Sequence, residues 1–295
     1  MANIESYILH VQNNVKQYII DNNIKSLIIG ISGGIDSTVN AAMLKPICDE
    51  LNIPLIGRYI SIESNKPIEQ ESAELVGNAF CSNFELIDWT PEFQNLKNAL
   101  ITEQDDVNDT SFKIRMGNIK ARMRMVCLRD LTQKNHGLMI DNSNLTEYNL
   151  GFFTISDNGD ISPMRNIWKT TVYDIANFLS ETYNTNNELE KKKAIDFSIS
   201  LTPTDGLGIS NSDLEQIGAK SYSDVDNILA WVISFPEKYV KKYLNKDEIS
   251  DKSTEESLNN VFNSLYNKYT KEVVLNVVNR WLKSSYKRKH LPIII

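Results

Sequence analysis

Cysteine and histidine are scarce in this chain of 295 residues, which has three of each. The cysteines are Cys48, Cys81 and Cys127. They stand far apart and form no Cys-x-x-Cys pair, which argues against a disulfide framework and against a cysteine-based zinc site. The histidines also lack the spacing of metal ligands. We therefore expect free thiols in a reducing cytoplasm.

Long apolar runs and a positive net charge are also missing. No stretch is long enough to cross a bilayer, and the first twenty residues lack a basic segment followed by an apolar core. The formal net charge is -7, which disfavours general nucleic-acid binding. Hydrophobic residues make up 41% of the chain, as in ordinary globular proteins. We expect a globular cytoplasmic protein that binds neither nucleic acid nor membrane.

Short β-branched runs alternate with helical patterns in the first part of the chain. The runs predict strands at residues 26–32, 53–62, 83–89 and 137–140, and the helical patterns lie at 3–22, 37–51, 68–81, 109–135 and after Lys169. This alternation is typical of parallel βαβ units, so we predict an α/β fold with a doubly wound parallel sheet. A helical C-terminal portion follows, and residues 1–295 are predicted to form a single domain.

Two long segments carry specific expectations. The helix at 109–135 is expected to have one apolar stripe, formed by Ile114, Ile119, Met123, Val126 and Leu131. Residues 181–212 are poor in core-type side chains and rich in Asn, Lys, Thr and Gly, which predicts a long mobile loop.

The most informative stretch lies between a predicted strand and a predicted helix. It reads Gly30, Ile31, Ser32, Gly33, Gly34, Ile35, Asp36 and Ser37. Its paired glycines allow a close approach of the backbone, and its serines and N–H groups can converge on phosphate oxygens at the positive end of the helix. Asp36 repels phosphate unless Mg²⁺ lies between them. No Gly-Lys-Ser/Thr follows, so this is not a Walker A loop.

The run SGGIDS resembles the pyrophosphate loop of the ATP pyrophosphatases, which cleave ATP between its α and β phosphates. Further stretches resemble the NAD synthetase family within that group; they are Gly117–Met125, Asn142–Glu147 with Gly151–Thr154, Gly159–Pro163 with Lys169–Thr170, and Pro203–Leu207 with Tyr286–Lys289. The resemblance covers most of residues 26–292 and implies a Rossmann-like fold of the adenine nucleotide alpha hydrolase type.

The resemblance also implies roles for individual residues. The implied ATP-binding residues are Gly30, Ile31, Ser32, Gly33, Gly34, Ile35, Asp36, Ser37, Arg58, Asn142, Lys169 and Thr204. The implied deamido-NAD-binding residues are Arg122, Asp160, Tyr286 and Lys287. Asp36 and Glu147 are the implied magnesium ligands, and with Lys169 they form the implied catalytic set.

Four positions depart from the family pattern. Asn142 stands where the family has Thr, Asp141 where it has Gly, Ile155 where it often has Lys, and Tyr286 where it has His. The pyrophosphate loop, Glu147 and Lys169 are unchanged. We therefore expect activation of ATP to be intact and the details of dinucleotide binding to differ.

The resemblance implies an ATP- and Mg²⁺-dependent amidation of deamido-NAD, which yields NAD, AMP and pyrophosphate through an acyl-adenylate. A glutaminase domain needs a catalytic cysteine and roughly one more domain of chain, so we expect none here and expect ammonia as the nitrogen source. A homodimer is expected by resemblance only. With Thr204 implied to contact ATP, the predicted loop at 181–212 is expected to close over the substrates and to slow proteolysis at residues 191–193.

Two other functions fit the same residues. One is a related ATP pyrophosphatase ligase that amidates or thiolates a different acid, which the Ile155 and Tyr286 departures keep open. The other is a nucleotide-binding sensor without turnover, against which the unchanged Asp36, Glu147 and Lys169 count. A substrate screen for pyrophosphate release distinguishes the other ligase, and binding of ATP and deamido-NAD without AMP production would support the sensor.

Overall fold

A four-stranded parallel sheet forms the centre of the first part of the chain. The computed structural model describes residues 2–63, 66–155, 157–204 and 212–289. The strands are β1 (Ser26–Gly30), β2 (Leu55–Ser61), β3 (Asn83–Asp88) and β4 (Gly137–Ile140). Their order in the sheet is β3-β2-β1-β4, and all pairs are parallel. The chain order reverses beside β1, so the carboxyl end of β1 lies at the switch point where such sheets bind ligands.

Helices make up most of the remaining described chain. They are α1 (Ala2–Asp21), α2 (Ile35–Glu50), α3 (Pro67–Phe80), α4 (Thr90–Leu100), α5 (Thr110–Lys134), α6 (Leu145–Leu150), α7 (Lys169–Thr185), α8 (Leu189–Ser200), α9 (Asp213–Ile217), α10 (Tyr222–Val232), α11 (Glu237–Asn245), α12 (Lys252–Lys268) and α13 (Lys271–Lys283), followed by a 3₁₀ turn at Ser285–Arg288. Among the described residues, no helix combines the length and the apolar character that crossing a bilayer requires.

Helices cover both faces of the sheet, which confirms the doubly wound α/β prediction. One face is covered by α1, α2, α3, α7 and α8, whose side chains form a common core with β1 and β2. The other face is covered by α4 and α5, which contribute Phe93, Phe112, Met116 and Leu128 to a smaller core. A third apolar cluster joins α10 to α13 and reaches Leu150 on α6. This contact brings the helical C-terminal portion against the end of the sheet.

The prediction of a long loop at residues 181–212 is wrong for most of its length. Helix α7 continues to Thr185, and residues 189–200 form α8. Ala194 and Ile195 on α8 are fully buried against the main core, so this short helix does have an apolar face. The expected cleavage site at residues 191–193 lies inside α8. Residues 205–211 of the predicted lid lie outside the described residues.

The predicted apolar stripe of α5 is wrong at two positions. Ile114 and Val126 are exposed, whereas Ile119, Met123 and Leu131 pack against the core. A residue advances by about 100° around a helix, so the five-residue step from Ile114 to Ile119 separates the two side chains by about 140°. The buried side of α5 is instead anchored by Phe112, Met116 and Leu128, which were not part of the predicted stripe.

Candidate active site

The loop between β1 and α2 presents its polar groups at the switch point of the sheet. The Ser32 hydroxyl is 3.2 Å from the Ser37 hydroxyl and accepts a hydrogen bond from the Gly34 N–H at 3.2 Å. The Ser37 hydroxyl donates to the Gly34 carbonyl at 3.0 Å. These contacts hold the loop against the first turn of α2. No side chain in the described part of the chain caps the start of α2, and the first N–H groups of a helix, which lack partners within the helix, can receive an anion.

Gly33 is required by the way this loop packs. Its φ is +81°, a conformation that favours glycine. A Cβ at this position would lie 2.3 Å from the carbonyl oxygen of Glu69. The Ser72 hydroxyl donates to the Gly33 carbonyl at 2.7 Å. The first turns of α3 therefore fix the loop from behind and leave its other side open.

Three charged side chains meet directly beside the loop. Lys169 begins α7, and its ammonium donates to the carboxylates of both Asp36 and Glu147, at 2.9 Å from Glu147 Oε1. Asp36 lies in the first turn of α2, and Glu147 lies in α6. Only 2% of the Lys169 side chain is exposed. The structure thus brings together the three residues that the sequence predicted as a catalytic set.

The cluster is electrostatically unusual because two carboxylates share one buried cation. The pKa of Glu147 is raised to about 7, because burial and then the negative charge of Asp36 raise it by more than Lys169 lowers it. Burial disfavours the charged form of Lys169, but Asp36 and Glu147 outweigh it, so the pKa of Lys169 is raised well above its ordinary value. Lys169 therefore stays charged, and Glu147 is the group in this cluster that titrates near neutral pH.

Asn144 holds the two acidic side chains in place, and sequence reasoning missed it. Its amide nitrogen donates to Asp36 Oδ1 at 2.8 Å, and its amide oxygen accepts the Glu147 N–H at 3.0 Å as the N-cap of α6. The spacing Asn-x-x-Glu is a helix-start signal that was available in the sequence. The contact with Asp36 was not, because it joins residues 108 positions apart.

Tyr222 and Asp213 form a second layer around Lys169, and neither was predicted. The Lys169 ammonium lies 5.7 Å from the centroid of the Tyr222 ring, within the range of a cation–π contact. The Tyr222 hydroxyl donates to Asp213 Oδ2 at 3.1 Å. Burial raises the pKa of the Tyr222 hydroxyl, so this residue remains a neutral hydrogen-bond donor. No sequence motif linked these C-terminal residues to the loop.

Two predicted ATP-binding residues instead connect the loop to the sheet. Asn142 donates to the Gly30 carbonyl at 2.9 Å and accepts from the Asn40 amide at 3.0 Å. The Arg58 carbonyl accepts the Ile31 N–H at 2.8 Å, while its buried guanidinium donates to Gly57 and lies 3.4 Å from Glu85. Both residues therefore position the loop from within the protein.

The predicted dinucleotide residue Asp160 supports the edge of the sheet. Its Oδ2 accepts the Met139 N–H at 2.8 Å, and its other oxygen accepts from Arg129. Arg122 is exposed on α5, and its charge acts on Asp157, whose pKa is raised by burial and lowered by Arg122. Neither contact involves the charged cluster beside the loop.

The remaining predicted contacts are near the C-terminal turn and the segment after α8. The Lys287 ammonium donates to the carbonyls of Gly151 and Phe153 at 2.7 and 2.8 Å. Tyr286 is 57% exposed. Thr204 is half-buried and immediately precedes residues outside the described set. Lys287 thus fastens the C-terminal turn to the chain that follows α6.

Arg124 is half-buried against the sheet, whereas Arg122 is exposed, although the two residues lie two positions apart in α5. The Arg124 Nε donates to the Ile60 carbonyl in β2 at 2.9 Å. Burial lowers the pKa of its guanidinium, and the neighbouring Tyr59 and Glu69 oppose that effect. Helical phase decides this difference, because residues two apart point about 200° apart around the axis.

The donor set beside the loop suits a hard divalent cation. Asp36 and Glu147 offer carboxylate oxygens, and the structure places a cationic group, the Lys169 ammonium, against both. Within the described residues there is no group of three or more histidine, cysteine or acidic side chains that could hold a metal. Mg²⁺ fits two carboxylates because it usually completes its shell with water and substrate phosphates.

Comparisons with known proteins show the family and the fold of the chain. The NAD synthase family matches residues 7–291. The NH(3)-dependent NAD(+) synthetase of Mycoplasma pneumoniae is 27% identical over 219 residues, which are 72% of this chain and 82% of that protein. Two solved structures share the fold: an NMN synthetase from Francisella tularensis, with TM-score 0.68, 19% identity and coverage of 99% and 98%, and an NH3-dependent NAD synthetase from Campylobacter jejuni, with TM-score 0.66, 18% identity and coverage of 99% of each chain. The chain belongs to the NAD synthase family.

Proposed function

We propose that this protein amidates deamido-NAD with ammonia, at the expense of ATP, to give NAD, AMP and pyrophosphate. The observation that carries the proposal is the buried group of Asp36, Glu147 and Lys169 beside an anion-receiving loop. Family membership supports the choice of reaction. The curated relatives named as NH(3)-dependent enzymes support ammonia as the nitrogen source.

The first step joins two anions and therefore depends on charge neutralisation. An oxygen of the nicotinate carboxylate attacks the α-phosphorus of ATP, and the bond to pyrophosphate breaks. The N–H groups at the start of α2 receive the pyrophosphate, and the Lys169 ammonium supplies a fixed positive charge to the phosphates. Positioning and electrostatics, rather than a strong base, account for the acceleration.

Mg²⁺ would be held by Asp36 and Glu147 at the mouth of the loop. Bound there, it would neutralise phosphate charge and stabilise the departing pyrophosphate. The Lys169 ammonium forms ion pairs with both carboxylates. With Mg²⁺ as the partner of these carboxylates, the Lys169 ammonium would be available to donate to phosphate oxygens.

The second step forms the amide. Ammonia attacks the carbonyl carbon of the acyl-adenylate, the bond to AMP breaks, and one proton leaves the nitrogen. Water would hydrolyse the same intermediate, so the site must exclude it. The Pro203 carbonyl accepts the Asp213 N–H at 3.1 Å, so the residues that follow α8 lie beside the start of α9.

A direct assay tests the proposed reaction. The purified chain, ATP, Mg²⁺, ammonium and deamido-NAD should yield NAD and AMP in equal amounts, whereas glutamine in place of ammonium should yield neither. Efficient synthesis from glutamine alone by the isolated chain would refute the ammonia-dependent reaction. Binding of ATP and deamido-NAD without AMP release would favour a sensor.

A second candidate is the amidation of a smaller nicotinate nucleotide. It is favoured by one observation: Asp160 and Lys287, predicted to contact the dinucleotide, are engaged with the protein's own backbone. A protein of the same fold is described as an NMN synthetase. Comparing kcat/KM for deamido-NAD and for nicotinate mononucleotide decides between the substrates, and the first proposal requires the larger value for deamido-NAD.

Assembly and location complete the proposal. We propose a homodimer, supported by the exposed apolar side chains Leu86, Leu96, Leu100 and Val126 on or next to the thinly covered face of the sheet. Sedimentation of the purified chain tests this. A cytoplasmic location is proposed because the reaction consumes ATP and because Cys48, Cys81 and Cys127 are free thiols.

A further inference from the structure

Asp226 is a buried carboxylate that none of the roles above uses. It lies in α10, and 5% of it is exposed. Its Oδ1 accepts from the Thr146 hydroxyl at 2.5 Å, and its Oδ2 accepts the Thr170 N–H at 3.0 Å. Burying a carboxylate costs solvation free energy unless its oxygens are hydrogen-bonded. Both oxygens of Asp226 accept hydrogen bonds.

Thr146 extends this contact to a second backbone group. Its hydroxyl oxygen accepts the Lys169 N–H at 2.9 Å while its proton goes to Asp226. The first two N–H groups of α7 are therefore satisfied by α6 and α10, not by their own segment. We call Asp226, Thr146 and the N–H groups of Lys169 and Thr170 the N-terminal clasp.

The clasp replaces a cap that α7 lacks. The N-cap residue of α7 is Trp168, whose side chain makes no capping hydrogen bond. A helix begins with N–H groups that have no partner within the helix, and a negative charge at that end is favourable. Asp226 supplies both the hydrogen bond and the charge from a separate helix.

The position of the clasp links it to the charged cluster. Thr146 directly precedes Glu147, and Lys169 is itself the first residue of α7. Displacing α6 from α7 would therefore move the Glu147 carboxylate relative to the Lys169 ammonium. Thr146 is 1% exposed, so no water replaces the clasp at the surface.

We propose that Asp226 is a positioning residue for the reaction: through Thr146 and the Thr170 amide, it holds Glu147 and Lys169 at the separation at which they act on the phosphates of ATP. This inference rests on the proposed function, because the effect of a displacement is read in the turnover of ATP. Asp226 touches no substrate in this scheme. It acts only through the two segments that it joins.

The variant Asp226→Asn tests the clasp with little change in shape. The amide oxygen can still accept the Thr170 N–H, but the amide nitrogen then faces Thr146, and the Thr146 proton is left without its acceptor. We expect kcat for NAD synthesis to fall by about 10- to 100-fold, in line with the effect of a misplacement of about 1 Å. The KM for ATP should change by less than about threefold, because the loop that receives the phosphates is untouched.

A matched control separates positioning from simple helix capping. Asp251 caps α12 by accepting the Ser253 N–H at 3.2 Å and the Thr254 hydroxyl at 2.6 Å, on a helix that carries no residue of the charged cluster. Asp251→Asn should lower the thermal midpoint and leave kcat unchanged. All assays are run well below the midpoint of every variant, so that kcat refers to folded protein.

A second pair of variants keeps the test valid if Asp226→Asn folds poorly. Thr146→Ser keeps the hydroxyl and loses a methyl group, whereas Thr146→Val keeps the volume and loses the hydroxyl. Positioning through the hydroxyl requires Thr146→Ser to retain most of the wild-type kcat and Thr146→Val to lose about tenfold or more. Equal losses in both variants would overturn the proposal.

The outcomes distinguish failure of the clasp from failure of the proposed function. If the wild-type chain makes NAD and Asp226→Asn keeps a kcat within about twofold, the clasp is refuted and the function stands. If the wild-type chain makes no NAD, the function is refuted. Hydrogen exchange then decides the clasp without turnover: the amides of Lys169 and Thr170 should exchange faster in Asp226→Asn than in wild type or Asp251→Asn, and unchanged exchange would overturn it.

Discussion

Two groups of residues differ in burial and in their partners. One group lies beside the pyrophosphate loop, and the other is predicted to contact the dinucleotide. At the loop, Lys169 is almost fully buried and paired with two carboxylates that arrive on separate helices. In the second group, Arg122 and Tyr286 are exposed, and Asp160 and Lys287 bind backbone groups of the protein. The first region is thus organised before any substrate arrives.

This difference shows which charged groups can act strongly on a bound substrate. Charges held in a buried site act strongly on a developing charge and need no reorganisation when the reaction occurs. Exposed charges are screened by solvent and contribute little each. Changes at the loop should therefore affect turnover, whereas changes in the second group should affect substrate affinity and do so weakly.

The largest effect is expected from Asp36→Ala and Glu147→Ala. Each removes a proposed Mg²⁺ ligand, and the loss of several kcal/mol of transition-state stabilisation lowers kcat by about a thousandfold. Lys169 keeps one partner in each variant, so the fold should persist by circular dichroism. Asp49→Ala, at the exposed end of the same helix as Asp36, is the control. Near-normal NAD synthesis in either variant would refute the metal assignment.

Lys169→Met is expected to lower both the stability of the protein and its turnover. It leaves Asp36 and Glu147 facing each other without a cation, so the free energy of unfolding of the metal-free protein should fall by about 3–5 kcal/mol. We expect kcat to fall by about a hundredfold or more. Lys45→Met breaks a surface pair with Asp49 and should cost less than about 1 kcal/mol. Denaturant titration measures the free energy of unfolding of both variants. Equal losses would show that the cluster around Lys169 stabilises the fold no more than a surface ion pair does.

The raised pKa of Glu147 predicts an intermediate effect that depends on pH. The ordinary value is 4.5 and the folded value is about 7, so the folded protein holds this proton more tightly than the unfolded chain. The resulting stability is fully present below pH 4.5 and is lost as pH rises through 7. Without Mg²⁺, the thermal midpoint of wild type should fall by a few degrees relative to Glu147→Gln between pH 5 and pH 8. A constant difference between the two proteins across this range would contradict the raised pKa.

The smallest effect is expected from Arg122→Met. An exposed charge contributes about 0.2–1 kcal/mol, so the KM for deamido-NAD should rise no more than about fivefold, and kcat should stay within about twofold. Lys113→Met, also exposed on α5, should leave both constants unchanged. A large loss of kcat in Arg122→Met would break the comparison, because it would place this residue among the reacting groups.

Local signals predicted much of the fold and the loop correctly. Runs of β-branched residues located all four strands, and the glycines and serines after β1 located the turn into α2. Residues 189–200 were misread because α8 is short and its apolar face rests on Ala194, Ile195 and a few partly buried neighbours. Its helical state depends on packing against α3 and α7, which a local pattern does not contain.

The geometry of the candidate site also depends on contacts that a local sequence pattern does not contain. Asp36, Glu147 and Lys169 were found by their resemblance to a family pattern, but their shared geometry depends on residues that no pattern marked. Asn144 contacts Asp36 across 108 positions, and Asp226 contacts Thr146 across 80. Such contacts exist only after segments that are distant in the sequence have packed together.

The sequence by itself determined the parallel α/β architecture and the glycine-rich turn after β1. These follow from periodicities and turn chemistry that act over a few residues. Tertiary structure alone decided which cation of α5 points inward, that Asp160 and Lys287 bind backbone groups, and that Asp226 accepts hydrogen bonds from both α6 and α7. The physical reason is burial: the free energy of a charge depends on how much water the whole fold removes and on which partners it brings within hydrogen-bonding distance.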